Sequence, residues 1–206
     1  RQPGMQAIAE LVGEKSSRRS GQPIQRIADR REEIPPNKFP TYWTRVLPEL
    51  RAAFNDVCAY SCFRIHPVTG VASVDHFAPK SRHWGRVYEW ANYRLACSRL
   101  NAWKSDYEDV LDPFEIESDW FTLELVGFRI LASPHLSDPL RSEVENTISR
   151  LKLNEFCRER EERAHDYLMG EVTWNILFRE APFVARELRR QGRLRETDIH
   201  LVLGDA

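Results

Sequence analysis

The sequence predicts an α+β protein, and three observations lead there. Two short stretches of strand character, 71–76 and 92–96, are separated by a long polar loop and followed at once by a helical stretch, 98–108. A second alternating stretch, 120–130, is rich in aromatics and reads as a strand or hairpin. The last third of the chain carries three charged, amphipathic segments with helical spacing. With 206 residues, of which 42% are hydrophobic and 30% charged, the chain is long enough for one well-packed domain or a small module with a helical companion.

Residues 1–40 read as an N-terminal arm or linker. A short helix is expected at 5–12, a polar Ser-, Arg- and Gly-rich stretch at 14–25, and a solvated charge cluster at 29–33, stopped by Pro35-Pro36. Apolar density rises from Tyr42. A helix is expected at 48–57, with Pro48 and Glu49 in its first turn, where both are favourable. Strands follow at 58–65 and 71–76 around the turn signal Pro67-Val-Thr-Gly70. The loop 77–91 is of a length that usually serves function. After a turn at Asp112-Pro113, helices are expected at 138–152, 155–169 and 171–190. The first places Leu140, Val144, Ile148 and Leu151 on one face, and Gly192 ends the last.

A formal net charge of −1 does not mark the chain as a whole as a nucleic-acid binder. No apolar run approaches the roughly 20 residues needed to cross a bilayer. The N-terminus has no apolar secretory core, and without an initiator Met native residues are expected upstream. Four cysteines (Cys58, Cys62, Cys97, Cys157) without a signal peptide point to thiols or metal ligands in a reducing, cytoplasmic setting.

The chemistry concentrates between Val74 and Lys104, in Val74-Asp-His-Phe-Ala-Pro-Lys-Ser81, Trp90-Ala-Asn92 and Asn101-Ala-Trp-Lys104. A neutral His76 is well matched to deprotonate water near pH 7. Asp75 leaves the strand on the opposite side, where it can hold a cation. With the amide oxygen of Asn101 it makes a sparse pair of hard ligands. Such a pair suits Mg²⁺ or Mn²⁺, with the remaining positions left to water and phosphate. Taken singly, His76 also fits a half-buried strand histidine, Asn92 a turn residue, and Asn101 an exposed helix residue.

The ordered set Asp75-His76, Asn92 and Asn101-x-x-Lys104 resembles the motif of the HNH (ββα-metal) endonucleases. The frame of Cys58-Ala-Tyr60, Asp75-His-Phe-x-Pro-Lys-Ser81, Trp90-x-Asn92 and Leu111-Asp-Pro-Phe114 is similar to the HNH nucleases of the Septu and retron-associated anti-phage systems. A fainter similarity continues through 147–154. The resemblance implies a ββα-metal core at 41–115 with flanking helices, and a hairpin plus a largely helical region at 116–206. It implies divalent-metal-dependent hydrolysis of nucleic acid, DNA more than RNA, as the effector of a defence complex. His76 would be the general base, Asp75 and Asn101 the metal ligands, and Asn92 the catalytic-centre residue that fixes the loop and the histidine. An ABC-type ATPase is the implied partner. The polar arm 1–40 and the charged helices of 138–192 are themselves expected to dock a partner protein, with a homodimer through these helices as the alternative. The alternative is an HNH-derived adaptor that binds without cleaving.

Many such domains carry paired Cys-x-x-Cys knuckles around a structural zinc. Here Cys58 and Cys97 each lack the second cysteine, and Cys62 or His66 fill in only with altered geometry. A closed four-ligand zinc site is therefore not expected. Packing by Phe54, Phe63, Trp84, Trp90 and Trp103 is expected in its place. Lys80, Arg82, Arg86, Arg94, Arg99 and Lys104 face a single acid, Glu89, over the same stretch, a local basic patch for a phosphate backbone.

Overall fold

The computed structural model describes residues 39–203, with side chains described as far as Ile199; the arm expected at 1–40 lies almost wholly outside the described residues. The protein is α+β and forms two compact units, one of 39–56 with 71–108 and one of 57–70 with 109–203.

In the first unit a 3₁₀ turn, Tyr42–Val46, runs into helix α1, Leu47–Ala53. Trp43, Val46 and Leu50 are its buried face. The helix stops short of the expected residue 57 because Asn55 and Asp56 both adopt positive φ, which Asn and Asp tolerate better than most. Arg51 donates to the Asp56 carboxylate at 2.6 Å and pins that turn. Strand β1, Ala72–His76, then pairs antiparallel with β2, Tyr93–Cys97, placing His76 opposite Tyr93 and Asp75 opposite Arg94. Helix α2, Ser98–Lys104, follows directly and buries Leu100. It ends four residues before the expected 108, where Ser105 turns to φ 48°. Strand, long loop, strand and helix therefore follow in the expected order.

In the second unit the strand expected at 58–65 is absent. A single bridge, Val57 to Arg64, closes a turn in which Cys62 takes positive φ and donates its N–H to the Cys58 carbonyl. The β-propensity of Tyr60, Cys62 and Phe63 has no partner strand to act through. Gly70 is required where it stands: a Cβ there would lie 2.8 Å from the backbone of His66.

Strands β3, Phe121–Leu123, and β4, Ile130–Ala132, form the expected hairpin. Helices α3 (Asp138–Arg150), α4 (Cys157–Leu168), α5 (Trp174–Glu180), α6 (Pro182–Arg190) and α7 (Glu196–Leu203) complete the chain. Val144 and Leu151 are buried on the predicted face of α3, together with Thr147. The helix expected at 171–190 is two, because Pro182 excludes helical backbone at Ala181, which sits at φ −146°, ψ 67°. Thr173 caps the first of them by accepting from the Ile176 N–H.

Side chains tie the hairpin to the helices. Asn154 brackets Ile130, accepting its N–H at 2.7 Å and donating to its carbonyl at 3.1 Å. Glu187, fully buried on α6, accepts from the Leu123 N–H at 2.8 Å, from Thr122 and from Arg190. Burial works against its charge, yet Arg190 and the Leu123 N–H hold the carboxyl below its usual range. Glu187→Ala is expected to cost about 3 kcal/mol in urea unfolding, since the Leu123 N–H then stays buried without an acceptor. Glu187→Gln, which keeps one acceptor, should recover part of that loss.

Candidate active site

The first unit carries a cleft of about 200 Å³ lined by Asp75, His76, Lys80, Ser81, Asn101 and Asp106 among others. Three of the residues singled out for chemistry, His76, Asp75 and Asn101, are thus brought to one wall-to-wall space. The end of β1 presents the first two, and α2 brings the third across.

His76 is 6% exposed. Its ring stands edge-on to Trp43 (4.9 Å, 87°) and to Tyr93 (5.2 Å, 86°). Nε2 lies 2.9 Å from the Val87 carbonyl. A carbonyl only accepts, so Nε2 carries the hydrogen and Nδ1 keeps the lone pair. Burial drives the imidazole pKa down to about 4; the Val87 contact opposes this, while Lys80 and Lys104 add to it. His76 is therefore a neutral base across the whole physiological range.

That shift has a consequence for stability. The unfolded chain protonates His76 near 6.5 and the folded chain only near 4, so stability falls as pH drops through this window. The group's contribution to the loss is about 3 kcal/mol. Urea midpoints measured in EDTA at pH 7 and pH 4.5 should differ more for the wild type than for His76→Gln. Equal differences would show that the ring is not the group concerned.

Asp75 is 2% exposed and lies 3.4 Å from the Lys104 ammonium, which is wholly buried. Lys104 also donates to the carbonyls of His76 (3.1 Å) and Phe77 (3.0 Å). Asn101 donates through Nδ2 to Ser73 Oγ at 3.0 Å and to the Val74 carbonyl, which turns its Oδ1 the other way. A carboxylate and an amide oxygen are hard donors, and both residues, Asp75 and Asn101, line the cleft. The donor chemistry fits Mg²⁺ or Mn²⁺, although a cation would share Asp75 with Lys104. Among the described residues no three His, Cys, Asp or Glu side chains gather as a further metal cluster.

Asn92 does not line the cleft. It is fully buried beneath the loop 77–92, where Oδ1 accepts from the Ala78 N–H at 2.7 Å and Nδ2 donates to the carbonyls of Ala78 and Arg86 at 3.1 Å. The Phe77 N–H donates to its backbone carbonyl as well. It fixes the loop that supplies the Val87 carbonyl, as the sequence led one to expect of it.

The predicted basic patch is much reduced. Arg94 is buried, donating to the Ala91 and Tyr93 carbonyls under the Phe77 ring, and Lys104 is buried as described. Neither presents charge to a ligand, because each is used inside the fold. Arg82 pairs with Glu108 at 2.7 Å, and Arg86 with Glu89 at 3.2 Å. Arg99 lies over Trp103 on the outer face of α2. Lys80 alone among the six lines the cleft, with its ammonium 4.1 Å above the Trp43 ring.

The candidate zinc residues fare differently again. Cys58 and Cys62 belong to the second unit and Cys97 to the first. Burial, with Cys58 nearby, pushes the Cys62 thiol up to about 11. His66 is exposed and spends Nδ1 on the Val68 and Thr69 N–H groups. The aromatics expected to replace zinc, Phe54, Phe63, Trp84, Trp90 and Trp103, are only half-buried. Trp43 and Tyr93 pack the site instead.

Sequence reasoning missed Trp43, Tyr93, Val87, Ser81 and Asp106. Tyr93 was reachable, since a two-stranded register puts a β2 residue opposite His76. Trp43 gave no local signal, being over thirty positions upstream. Ser81 Oγ is buried without a hydrogen-bond partner among the described residues, which suits a group that meets its partner in a ligand. In comparisons with known proteins, no family model and no curated sequence matched this chain.

Proposed function

We propose that the protein is a divalent-metal-dependent endonuclease of the HNH (ββα-metal) kind, hydrolysing phosphodiester bonds of nucleic acid, DNA more than RNA. The observation that carries this reading is the cleft itself: a tautomer-fixed neutral histidine lines the same space as a buried carboxylate residue, Asp75, and Asn101, whose Nδ2 is spent on Ser73 and Val74.

In this reading His76 Nδ1 takes a proton from the attacking water. The Val87 carbonyl holds the ring so that the lone pair stays on that nitrogen, and Asn92 holds the loop that carries Val87. Trp43 and Tyr93 keep the ring from turning. Asp75 and Asn101 would hold Mg²⁺ or Mn²⁺, which polarises the phosphate and stabilises the leaving oxygen. Lys80 and the Ser81 hydroxyl meet the phosphate oxygens.

The resemblance places such an enzyme in the cytoplasm, as effector of an anti-phage complex with an ABC-type ATPase. No described helix is long and apolar enough to cross a membrane. A second reading, an HNH-derived adaptor without activity, draws on one observation: Lys104 already neutralises Asp75, so the cleft is electrostatically settled without a cation.

A cleavage assay separates the two. Plasmid DNA and RNA are incubated with the protein in Mg²⁺, Mn²⁺ or EDTA, alone and with a co-purifying ATPase. Metal-dependent cutting supports the nuclease; no cutting under any of these conditions leaves the adaptor.

A further inference from the structure

The second unit holds a groove of about 420 Å³ whose walls come from α5, α6 and the turn bearing Cys62. It has no part in the cleft chemistry. Its lining mixes flat aromatic faces with guanidinium groups: Trp174, Phe178 and Phe183 on one hand, Arg186 and Arg189 on the other.

Phe178 is 54% exposed. It is not loose. Trp174 backs it at 6.3 Å with the planes only 31° apart, and Tyr167 in turn meets Trp174 edge-on at 5.8 Å. The exposed ring is thus a fixed platform on a buried support. Phe183 is buried in the groove, and the Arg186 guanidinium sits over it at 5.4 Å.

Several arginines near the groove are paired with acids. Arg64 and Arg179 share Glu180, Arg190 is taken by Glu187, and Arg195 by Asp198. Arg186 and Arg189, three positions apart on one side of α6, are exposed and have no acidic partner among the described residues. An apolar interface for a protein core would not need two uncompensated cations beside its ring. A chain of alternating flat bases and phosphates offers a partner for each.

We propose that this groove binds single-stranded nucleic acid, with a base stacked on Phe178 and adjacent phosphates held by Arg186 and Arg189. Base–aromatic stacking tolerates any sequence, so the groove grips a strand without reading it. The inference concerns the second unit and stands whether or not the first unit cleaves.

The test is fluorescence anisotropy of the full chain with a labelled 20-nucleotide single-stranded DNA, in EDTA so that binding is read without cutting. Phe178→Ala should weaken binding roughly ten-fold or more, within the range found for loss of one base stack. Arg186→Gln with Arg189→Gln should weaken it as well and flatten the dependence of log Kd on log salt by about 1.4. Phe114→Ala removes a comparably exposed ring (52%) of the same unit outside the groove and should leave binding unchanged. Circular dichroism of each variant confirms that it is folded. Wild-type affinity in both groove variants, or no binding by the wild type at low salt, overturns the proposal. A groove that takes a protein segment instead gives the same negative result. Cleavage is scored separately, in the plasmid and RNA assay above: binding here without cutting there removes the nuclease reading and keeps the groove, and cutting there with groove-independent binding here does the reverse.

Discussion

Replacing His76 by Ala is expected to slow phosphodiester cleavage by ~10²–10⁴-fold, the usual cost of losing a general base. The effect should fall on the chemical step in single-turnover assays, while oligonucleotide binding in EDTA is kept. The substitution is not silent for the fold. His76 fills the space between Trp43 and Tyr93, so its removal is expected to cost about 1–2 kcal/mol. The Val87 carbonyl itself stays satisfied, because the Tyr93 hydroxyl donates to it at 2.9 Å. Rates are therefore compared at a temperature where circular dichroism shows both proteins folded. A folded His76→Ala protein that cuts at the wild-type rate would remove this residue from the mechanism.

Lys104→Met is expected to cost about 3–5 kcal/mol of stability, the range for breaking a buried ion pair. The ammonium has three buried acceptors: Asp75 and the carbonyls of His76 and Phe77. Methionine fills the volume and takes the ammonium at 3.4 Å away from a carboxylate at 2% exposure. Lys104→Met combined with Asp75→Asn should be more stable than Lys104→Met alone, because the buried carboxylate that lost its ammonium is then neutral as well. If Asp75 is also a cation ligand, Mg²⁺ should raise the melting temperature of Lys104→Met more than that of the wild type. The cation binds the folded state and supplies the missing charge. A Lys104→Met protein with wild-type urea unfolding would show that the pair contributes little.

What was legible in the sequence follows from how local each signal was. The order of β1, loop, β2 and α2 could be read because alternation and helical spacing are properties of neighbours in the chain. The face of α3 carrying Val144 and Leu151 was legible for the same reason. The failures share a cause as well. Arg94, Lys104 and Glu187 are charges that the fold buries against partners remote in sequence or against backbone carbonyls, and a charged residue read alone is assigned to the surface. The expected strand at 58–65 failed because strand propensity needs a second strand, which this segment does not find. Asp75, His76 and Asn101 could be singled out because their chemistry is unusual in combination. The Trp43 ring that shapes their site is an ordinary aromatic until the fold brings it there.

The way the loop 77–92 is held bears on how this protein can change over evolutionary time. Its conformation depends on one amide, that of Asn92, which meets a donor and two acceptors at once. No other side chain offers both functions at that length: aspartate would turn a carboxylate oxygen toward two carbonyls, and leucine would strand all three. The outer residues carry little of that burden. Arg82, His83, Arg86 and Glu89 are exposed, and a side chain added at Gly85 would meet nothing within 4 Å. A library of all single substitutions across this loop should therefore show a sharp intolerant position at Asn92, packing limits at the buried Ala78 and Val87, and tolerance at the exposed residues between them. Lineages descending from this sequence are free to alter what the loop displays to a substrate without disturbing how the histidine beneath it is held.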